Sequence, residues 1–254
     1  KALKIDRVEI RKINSPNNKT TVYADQIPVT SAYMKEALDK GAKMFDWQSK
    51  RHASKKDGNK VRGIGIGQGY HSAGTHGFDG LLRIAPDGKI HIHSGVGNLG
   101  TYSYASTSRV VAEVLKCDWE NCVIHCGSTL ENLPWSSYQA GSVSTFTHTR
   151  ANFVAAQDAV NKMKAIAARN FGGEAEDYDI DGKRVYKINR PTQGLSYAAV
   201  ASQAIKLGGI YNGEIMPEDI HEITQRSVKN LAGTGLVGVA KDNLPQEGVI
   251  PGLA

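Results

Sequence analysis

Residues 79–115 constrain the fold of this chain more than any other stretch. Gly80–Ile84 and Lys89–Ser94 are short apolar or alternating runs on either side of Asp87-Gly88, a pattern typical of a β-hairpin. The run Gly95-x-Gly97-x-x-Gly100 follows directly and opens a predicted helix. The chain must therefore place a sheet beside the start of a helix, with a glycine-rich loop between them.

A second loop of small residues, Gly141-Ser142-Val143-Ser144, precedes a stretch in which apolar residues recur at helical spacing up to Ala167. Between the two loops, Trp119–Cys126 is interpreted as a strand, and Asp181-Gly182 predicts a second hairpin. The order strand, small-residue loop and helix thus occurs more than once. We expect an α/β (α+β) fold with mixed sheets and helices packed on one face.

Charge is distributed unevenly along the chain. The whole sequence has 31 Lys and Arg against 25 Asp and Glu, whereas residues 1–62 alone hold 15 against 7. We expect a basic helical linking region over residues 1–62, a first strand–loop–helix unit over 63–172 and a second, incomplete unit over 173–254. Lys50–Lys56 has no interleaved aromatic residues, so we expect an exposed, solvated loop and no nucleic acid, with a phosphate or subunit contact as the alternative. Val61–Gly67 predicts a buried strand.

The composition also indicates whether the chain spans a membrane, whether it binds zinc and in which cellular compartment it lies. No run of about eighteen apolar residues exists, so no membrane-spanning helix is predicted. Cys117, Cys122 and Cys126 lack CxxC spacing, which argues against zinc and favours buried thiols. The odd, low cysteine count suits a reducing compartment; we expect the cytoplasm, with the periplasm as the alternative. A start at Lys1 and an end at Ala254 without a terminal signal are interpreted as a segment or subunit of something longer.

Two histidine pairs are candidates for chemistry. His91 and His93 lie on one face of a predicted strand, but no third ligand stands nearby, so we expect no metal held by protein side chains. His71 and His76 lie in a glycine-rich stretch with two aromatic residues, which makes this stretch a candidate for a substrate or subunit loop.

The run Gly95-x-Gly97-x-x-Gly100 formally matches the dinucleotide-binding fingerprint, in which backbone N–H groups and a helix N-terminus hold a phosphate. We expect the fingerprint to fail here for two reasons. The preceding strand closes an antiparallel hairpin, and the next strand ends at Gly127-Ser128-Thr129 without the expected acidic residue. We therefore expect a different anion site, and keep an NAD- or nucleotide-binding module and plain turn glycines as alternatives.

The loop Gly141–Ser144 offers hydroxyl groups, free N–H groups and a helix dipole at one place. A capping run without ligand is the alternative interpretation. Together with the first loop, it would bind two phosphates, or one pyrophosphate from two sides.

Several motifs resemble a known family, and their order and spacing both agree with it. They are Gly63-Ile64-Gly65, the Asp87-Gly88 hairpin, the Gly95–Gly100 loop, Ala112-Glu113-Val114-Leu115, Gly127-Ser128-Thr129, Pro134 and Gly141-Ser142. Upstream, Asp6–Asn14 and Lys40–Trp47 are similar to two further segments of the same family. The chain resembles the molybdenum-binding subunit of the xanthine dehydrogenase/aldehyde oxidase family over most of residues 1–172.

This resemblance implies a segment of a larger fold that binds molybdopterin with molybdenum, as a cytosine dinucleotide. It places Leu99, Gly100 and Thr101 against the pterin, and Gly141, Ser142, Val143 and Ser144 against the phosphate region. It also implies a hydroxylase that oxidises an aldehyde or N-heterocycle with water-derived oxygen. Electrons would leave through an iron–sulfur subunit and a flavin (FAD) subunit.

The sequence departs from the family in three respects. The family's Gly-Gln-Gly loop corresponds to Gly100-Thr101-Tyr102 here, so Thr101 stands in place of the glutamine. The family's catalytic Glu is expected beyond Ala254. Phe171-Gly172-Gly173 only superficially matches a family loop expected upstream of Lys1. The replacement of the glutamine leaves room for a variant reaction, such as reduction or hydration. A noncatalytic assembly subunit that keeps the fold without the site is a further alternative.

Overall fold

The computed structural model describes residues 3–22, 27–28, 32–52, 55–69 and 77–242 of the chain. Its contacts define two compact units: Lys1–Thr75 together with Pro245–Ala254, and His76–Leu244. Among the described residues, none of the helices has the length and apolar character needed to cross a membrane.

The first unit consists of short elements around a small core formed by Val8, Leu38 and Trp47. Asp6 caps the first helix by accepting a hydrogen bond from Val8 N, and its carboxylate also accepts one from the Trp47 indole N–H. The elements are α1 (Arg7–Asn14), β1 (Thr21–Val22), β2 (Ile27–Pro28), α2 (Met34–Phe45), α3 (Trp47–Lys50), β3 (Lys55–Asp57) and β4 (Lys60–Arg62).

The expected buried strand over Val61–Gly67 is wrong. β4 ends at Arg62 and its residues are exposed, while residues 63–69 form no strand. The alternation of glycine with isoleucine imitates a strand pattern, but glycine has no side chain to bury. Ile64 and Ile66 alone pack against the small core from this run. The β3–β4 hairpin carries the end of the basic stretch, and its side chains are exposed to solvent.

The second unit is built on two sheets. Its elements are β5 (Asp79–Ile84), β6 (Ile90–His93), α4 (Ser103–Val114), β7 (Cys122–His125), α5 (Thr149–Phe171), β8 (Tyr178–Ile180), β9 (Arg184–Lys187), β10 (Arg190–Ser196), α6 (Tyr197–Leu207), α7 (Glu222–Leu231) and β11 (Leu236–Lys241). One sheet has the order β11-β5-β6-β7 and the other β10-β9-β8. The expected mixed α/β fold is confirmed, and the larger sheet takes strands from both sides of residue 172.

The β5–β6 hairpin forms as predicted, and the other edge of β6 pairs with a third strand. β6 pairs antiparallel with β5 and parallel with β7, with Ile92 opposite Leu82 on one side and Ile124 on the other. β6, α4 and β7 therefore form a parallel βαβ unit. The first reason given against the dinucleotide fingerprint is thus wrong, because a strand can close a hairpin at one edge and begin a crossover at the other. The missing acid after β7 still separates this loop from the fingerprint.

Helix α5 packs closely on one face of the larger sheet because two strand residues there lack side chains. A methyl group on Gly80 would overlap the carbonyl oxygen of Ala151, and one on Gly238 would lie 2.6 Å from the carbonyl oxygen of Ala155. The apolar core between α4, α5 and the two sheets includes Ile92. On the opposite face, α7 covers Leu81, Val237 and Val239.

Candidate functional site

The first loop, residues 95–102, runs from the end of β6 to the start of α4. Asn98 Oδ1 accepts hydrogen bonds from Gly100 N at 2.9 Å and from Tyr102 N at 3.3 Å, which fixes the turn before the helix. Leu99 is 69% exposed, and Thr101 is also exposed. The predicted residues Leu99, Gly100 and Thr101 thus lie at the surface of the second unit. Asn98, which organises them, was missed by the sequence reasoning.

The three glycines of this loop have three different surroundings. A methyl on Gly95 would lie 2.5 Å from the carbonyl oxygen of Pro134, so Gly95 permits close packing of two chain segments. Gly97 uses both its N–H and its carbonyl in hydrogen bonds to a side chain. Gly100 has a φ of +91°, and a methyl there would meet no atom within 4 Å. The space in front of Gly100 is open, as a ligand contact requires.

Tyr102 also adopts a left-handed backbone, with a φ of +52°. This conformation costs a non-glycine residue roughly 1–2 kcal/mol. Tyr102 occupies the position of the second glycine in the Gly-Gln-Gly run that the chain resembles. Tyr102 therefore has a backbone conformation that glycine adopts readily, and such strain is concentrated at functional sites.

The second loop has the same backbone character at Gly141 and Ser142, whose φ angles are +53° and +57°. A π-helical turn, Ser144–His148, follows and leads into α5. Ser142 is exposed and Ser144 is half-buried. Val143 is buried and packs in a cluster with Phe78, so only its backbone can face a ligand.

The side chain of Gln139 joins the two loops. Its Oε1 accepts a hydrogen bond from Gly97 N at 3.0 Å, and its Nε2 donates to Gly97 O at 3.0 Å and to Ser144 Oγ at 3.4 Å. The two loops identified from sequence are thus brought together in the structure. Sequence reasoning missed Gln139, because nothing in the local pattern Tyr138-Gln139-Ala140 indicates a partner 42 residues away.

A buried histidine lies beneath both loops. His148 Nδ1 is 2.6 Å from Thr107 Oγ1 on α4, and its Nε2 is 3.3 Å from Ser94 Oγ at the end of β6. Asn152 on α5 approaches the same Nε2 at 3.4 Å. Burial lowers the pKa of His148 to about 4, so the ring is neutral at pH 7. A neutral ring can accept one hydrogen bond and donate another, and so links β6, α4 and α5.

We expect the second unit to lose stability as the pH falls from about 6.5 to about 4. Burial is the largest cause that lowers the pKa of His91, His93 and His148 to about 4 in the folded chain. Between these pH values the unfolded chain binds protons that the folded chain excludes, so acidification favours unfolding, by up to about 3 kcal/mol for the fully buried His148. Urea unfolding at several pH values measures this slope. His148→Gln should reduce the slope, whereas Gln157→Asn, an exposed change on α5 that neither adds nor removes a titratable group, should leave it unchanged; an equal slope in the His148 variant would contradict the assignment.

Two buried hydroxyl groups near the loops have no hydrogen-bond partner within the described part of the chain. They are Ser103 Oγ, at the start of α4, and Thr147 Oγ1, in the π-helical turn. Residues 95–108 and 139–152 contain no Asp or Glu, and Arg150, within the second stretch, is paired with Asp242 at 2.9 Å. The two stretches therefore offer hydroxyl and N–H donors and two helix starts, they carry no carboxylate of their own, and the Asp242 carboxylate beside them is paired with Arg150. This donor set fits a phosphate-bearing cofactor.

The histidine pair predicted on β6 belongs to a larger cluster. His91 Nδ1 lies 2.9 Å from His125 Nε2, and His125 Nδ1 lies 2.5 Å from Glu131 Oε2. The His125 ring stacks on both His91 and His93, with centroids 5.1 and 4.7 Å away. His93 Nδ1 is 2.7 Å from Glu131 O. The cluster holds the segment around Glu131 against the sheet, and within the described residues no group of three or more His, Cys, Asp or Glu could hold a metal.

Two other sequence candidates have different outcomes. His71 and His76 lie outside the described residues. Cys117, Cys122 and Cys126 are free thiols, but they are half-buried and not enclosed in the core.

Comparison with known proteins gives consistent results. Residues 40–239 match the family of molybdopterin cofactor-binding domains. The chain is 32% identical over 125 residues to the xanthine dehydrogenase molybdenum-binding subunit of Escherichia coli O157:H7, covering 45% of this chain and 16% of that protein. It is 25% identical over 187 residues to the aldehyde oxidoreductase molybdenum-binding subunit PaoC of the same organism, covering 70% and 24%.

Solved structures share the fold. Quinoline 2-oxidoreductase from Pseudomonas putida 86 superposes with a TM-score of 0.51 at 15% identity, covering 94% of this chain and 30% of that one. Reconstituted CO dehydrogenase from Oligotropha carboxidovorans superposes with a TM-score of 0.53 at 21% identity, covering 96% and 30%. The chain thus spans less than a third of the length of these relatives.

Proposed function

Because the chain belongs to the family of molybdopterin cofactor-binding domains, we propose that its two glycine loops hold the molybdopterin of a larger molybdenum enzyme. In this proposal Leu99, Gly100 and Thr101 face the pterin. The segment Gly141–Ser144 binds the phosphate region through backbone N–H groups and the Ser142 and Ser144 hydroxyls. The bound form is a cytosine dinucleotide.

The observation that carries this proposal is the Gln139 bridge between the two loops. One side chain fixes Gly97 and Ser144 at the same time, so the loops form one site with a set separation. A ligand with a pterin at one end and phosphates at the other needs such a pair of contacts. Left-handed backbone at Gly100 and Ser142 turns both loops sharply beside the helices that follow them.

Electrostatics supports the phosphate assignment. The N-terminus of α4 and the turn that leads into α5 both present the positive ends of helix dipoles. Neither loop carries a carboxylate that would repel a phosphate. The hydroxyls of Ser103 and Thr147, which have no partner among the described residues, can each donate one hydrogen bond near these helix starts.

The whole enzyme in this proposal is a molybdenum hydroxylase-type oxidoreductase that acts on an aldehyde or N-heterocycle. When bound, the cofactor supplies the redox chemistry, and this chain binds and orients it. The catalytic Glu lies outside the chain, and an iron–sulfur subunit and an FAD subunit receive the electrons. Thr101 provides a hydroxyl where the family has a glutamine amide, and this difference favours a variant reaction, reduction or hydration, as the second candidate.

Molybdenum and nucleotide analysis of the assembled enzyme tests the proposal. We expect molybdenum at stoichiometric level with a releasable pterin cytosine nucleotide. Ser142→Trp should lower molybdenum content at least tenfold, because an indole at this exposed turn blocks the phosphate region. Gln157→Trp, on the exposed face of α5, is the matched control and should retain the metal. Normal molybdenum content in the Ser142 variant would refute the phosphate role, and tight NAD binding without molybdenum would favour the nucleotide-binding alternative.

A further inference from the structure

Cys117 and Cys122 lie at the two ends of a short turn between α4 and β7. Their Sγ atoms are 4.0 Å apart, and both side chains are half-buried. A single 3-10 turn, Trp119–Asn121, separates them. The two thiols are therefore in contact while remaining reachable from solvent.

Regular structure holds both cysteines in place. The Cys117 N–H donates to Ala112 O at 3.0 Å and so closes the end of α4. Cys122 is the first residue of β7 and pairs with Ile90 of β6. Their proximity thus follows from how the helix and the strand are joined, and not from the conformation of a free loop.

The two thiols have unequal acidity. The hydrogen bond from Cys122 lowers the pKa of Cys117, whereas the same interaction together with burial raises the pKa of Cys122. The thiolate is the form that attacks a disulfide. Cys117 is therefore the attacking thiol of the pair, and Cys122 is the thiol that resolves the mixed disulfide.

We propose that Cys117 and Cys122 form a reversible disulfide, a redox modification site separate from the cofactor loops. The Cys117 thiolate attacks one sulfur of glutathione disulfide and releases one glutathione thiolate. Cys122 then loses its proton and attacks the Cys117 sulfur of the mixed disulfide, which releases the second glutathione. The pair loses two electrons and two protons, and one glutathione disulfide becomes two glutathione molecules. Rotation of both side chains has to bring the sulfurs from 4.0 Å to about 2.05 Å.

The disulfide would tie the end of α4 to β7, which is the edge strand of the larger sheet. The other end of α4 begins beside the first glycine loop. If the fold holds the thiols together, the disulfide forms more readily in the folded chain than in the unfolded one. By linkage, oxidation then stabilises the fold by the same factor.

Thiol trapping in glutathione buffers tests this proposal on the full chain. After equilibration, free thiols are alkylated and the protein is analysed by mass spectrometry and peptide mapping. We expect loss of two hydrogen atoms, a Cys117–Cys122 linkage, alkylated Cys126 and full reversal by dithiothreitol. The equilibrium constant for disulfide formation should be at least tenfold larger for the folded chain than for the chain in urea.

Three variants provide the controls. Cys117→Ser and Cys122→Ser should each form no internal disulfide, whereas Cys126→Ser should behave as the wild type. Cys126 is the matched control because it follows the same strand and is equally half-buried. Alkylation of all three thiols in the most oxidising buffer, or an equilibrium constant no larger in the folded chain than in urea, would overturn the proposal. The comparison between folded and denatured wild type stands even where a serine variant does not fold.

Discussion

Replacing Gly80 with alanine is expected to destabilise the second unit by about 3 kcal/mol, measured as the free energy of unfolding in urea. The added methyl would overlap the carbonyl oxygen of Ala151 and lie 2.8 Å from Ala155 Cβ. Because both atoms belong to α5, the helix has to move away from β5. The second glycine loop leads through the π-helical turn into α5. A shift of this helix therefore moves the loop, and cofactor retention should fall as well.

The control for this substitution is Gly41→Ala. Gly41 lies within α2, and a methyl group there would meet no atom within 4 Å. Alanine is favoured over glycine inside a helix by about 1 kcal/mol, so this variant should be slightly more stable. A loss of less than 1 kcal/mol for Gly80→Ala, judged on the scale of such overpacking effects, would show that α5 does not approach β5 as closely as described.

Asp79→Ala should be the second large destabilisation, about 3 kcal/mol. Asp79 is buried, and its Oδ2 accepts hydrogen bonds from His221 N at 2.8 Å and from Thr224 Oγ1 at 2.6 Å. Both donors lie at the N-terminus of α7, where a negative charge also interacts favourably with the helix dipole. Thr224 Oγ1 in turn accepts a hydrogen bond from Trp135 N at 2.8 Å. Alanine removes the acceptor of the buried Thr224 hydroxyl and of the half-buried His221 N–H.

Two further variants separate the hydrogen bonds from simple loss of charge. Asp79→Asn keeps an oxygen for both donors but places an amide where Oδ1 now has no partner among the described residues, so about 1 kcal/mol should be lost. Asp219→Ala, at an exposed position near the same helix, should change the unfolding free energy by less than about 0.5 kcal/mol. If the Asn variant were as unstable as the Ala variant, the charge would matter more than the two hydrogen bonds.

Short sequence patterns predict those elements of this fold whose conformation depends on residues that are neighbours in sequence. Asp87-Gly88 identifies the hairpin, and small residues before a helical pattern identify both loops. The run Val61–Gly67 shows the limit of such signals, because period-two alternation with glycine satisfies the pattern without providing side chains to bury. The parallel pairing of β6 with β7 could not be predicted either, because the apolar pattern of a strand does not show which neighbour occupies each edge.

The residues of the candidate site likewise fall into those that the local sequence identifies and those that it does not. Gly100 and Ser142 stand out by residue type, whereas Gln139 and His148 act through partners more than 40 residues away in sequence. The family resemblance is expected over most of residues 1–172, and the family model matches residues 40–239. The added segment includes β11, which pairs with β5 and completes the larger sheet. The sequence of β11 contains no motif that could be recognised. Only its pairing with β5 explains why this strand belongs to the family's fold.

The Gln139 side chain forms hydrogen bonds with both the N–H and the carbonyl of Gly97. In a sheet, the backbone of a neighbouring strand forms this kind of pair of hydrogen bonds. A backbone partner would fix the two segments at the spacing of a sheet. A glutamine instead fixes them at the length of its own methylene chain, and an asparagine would be one methylene too short. The length of the Gln139 side chain therefore sets the distance between the two loops, and with it the length of a ligand that can contact both.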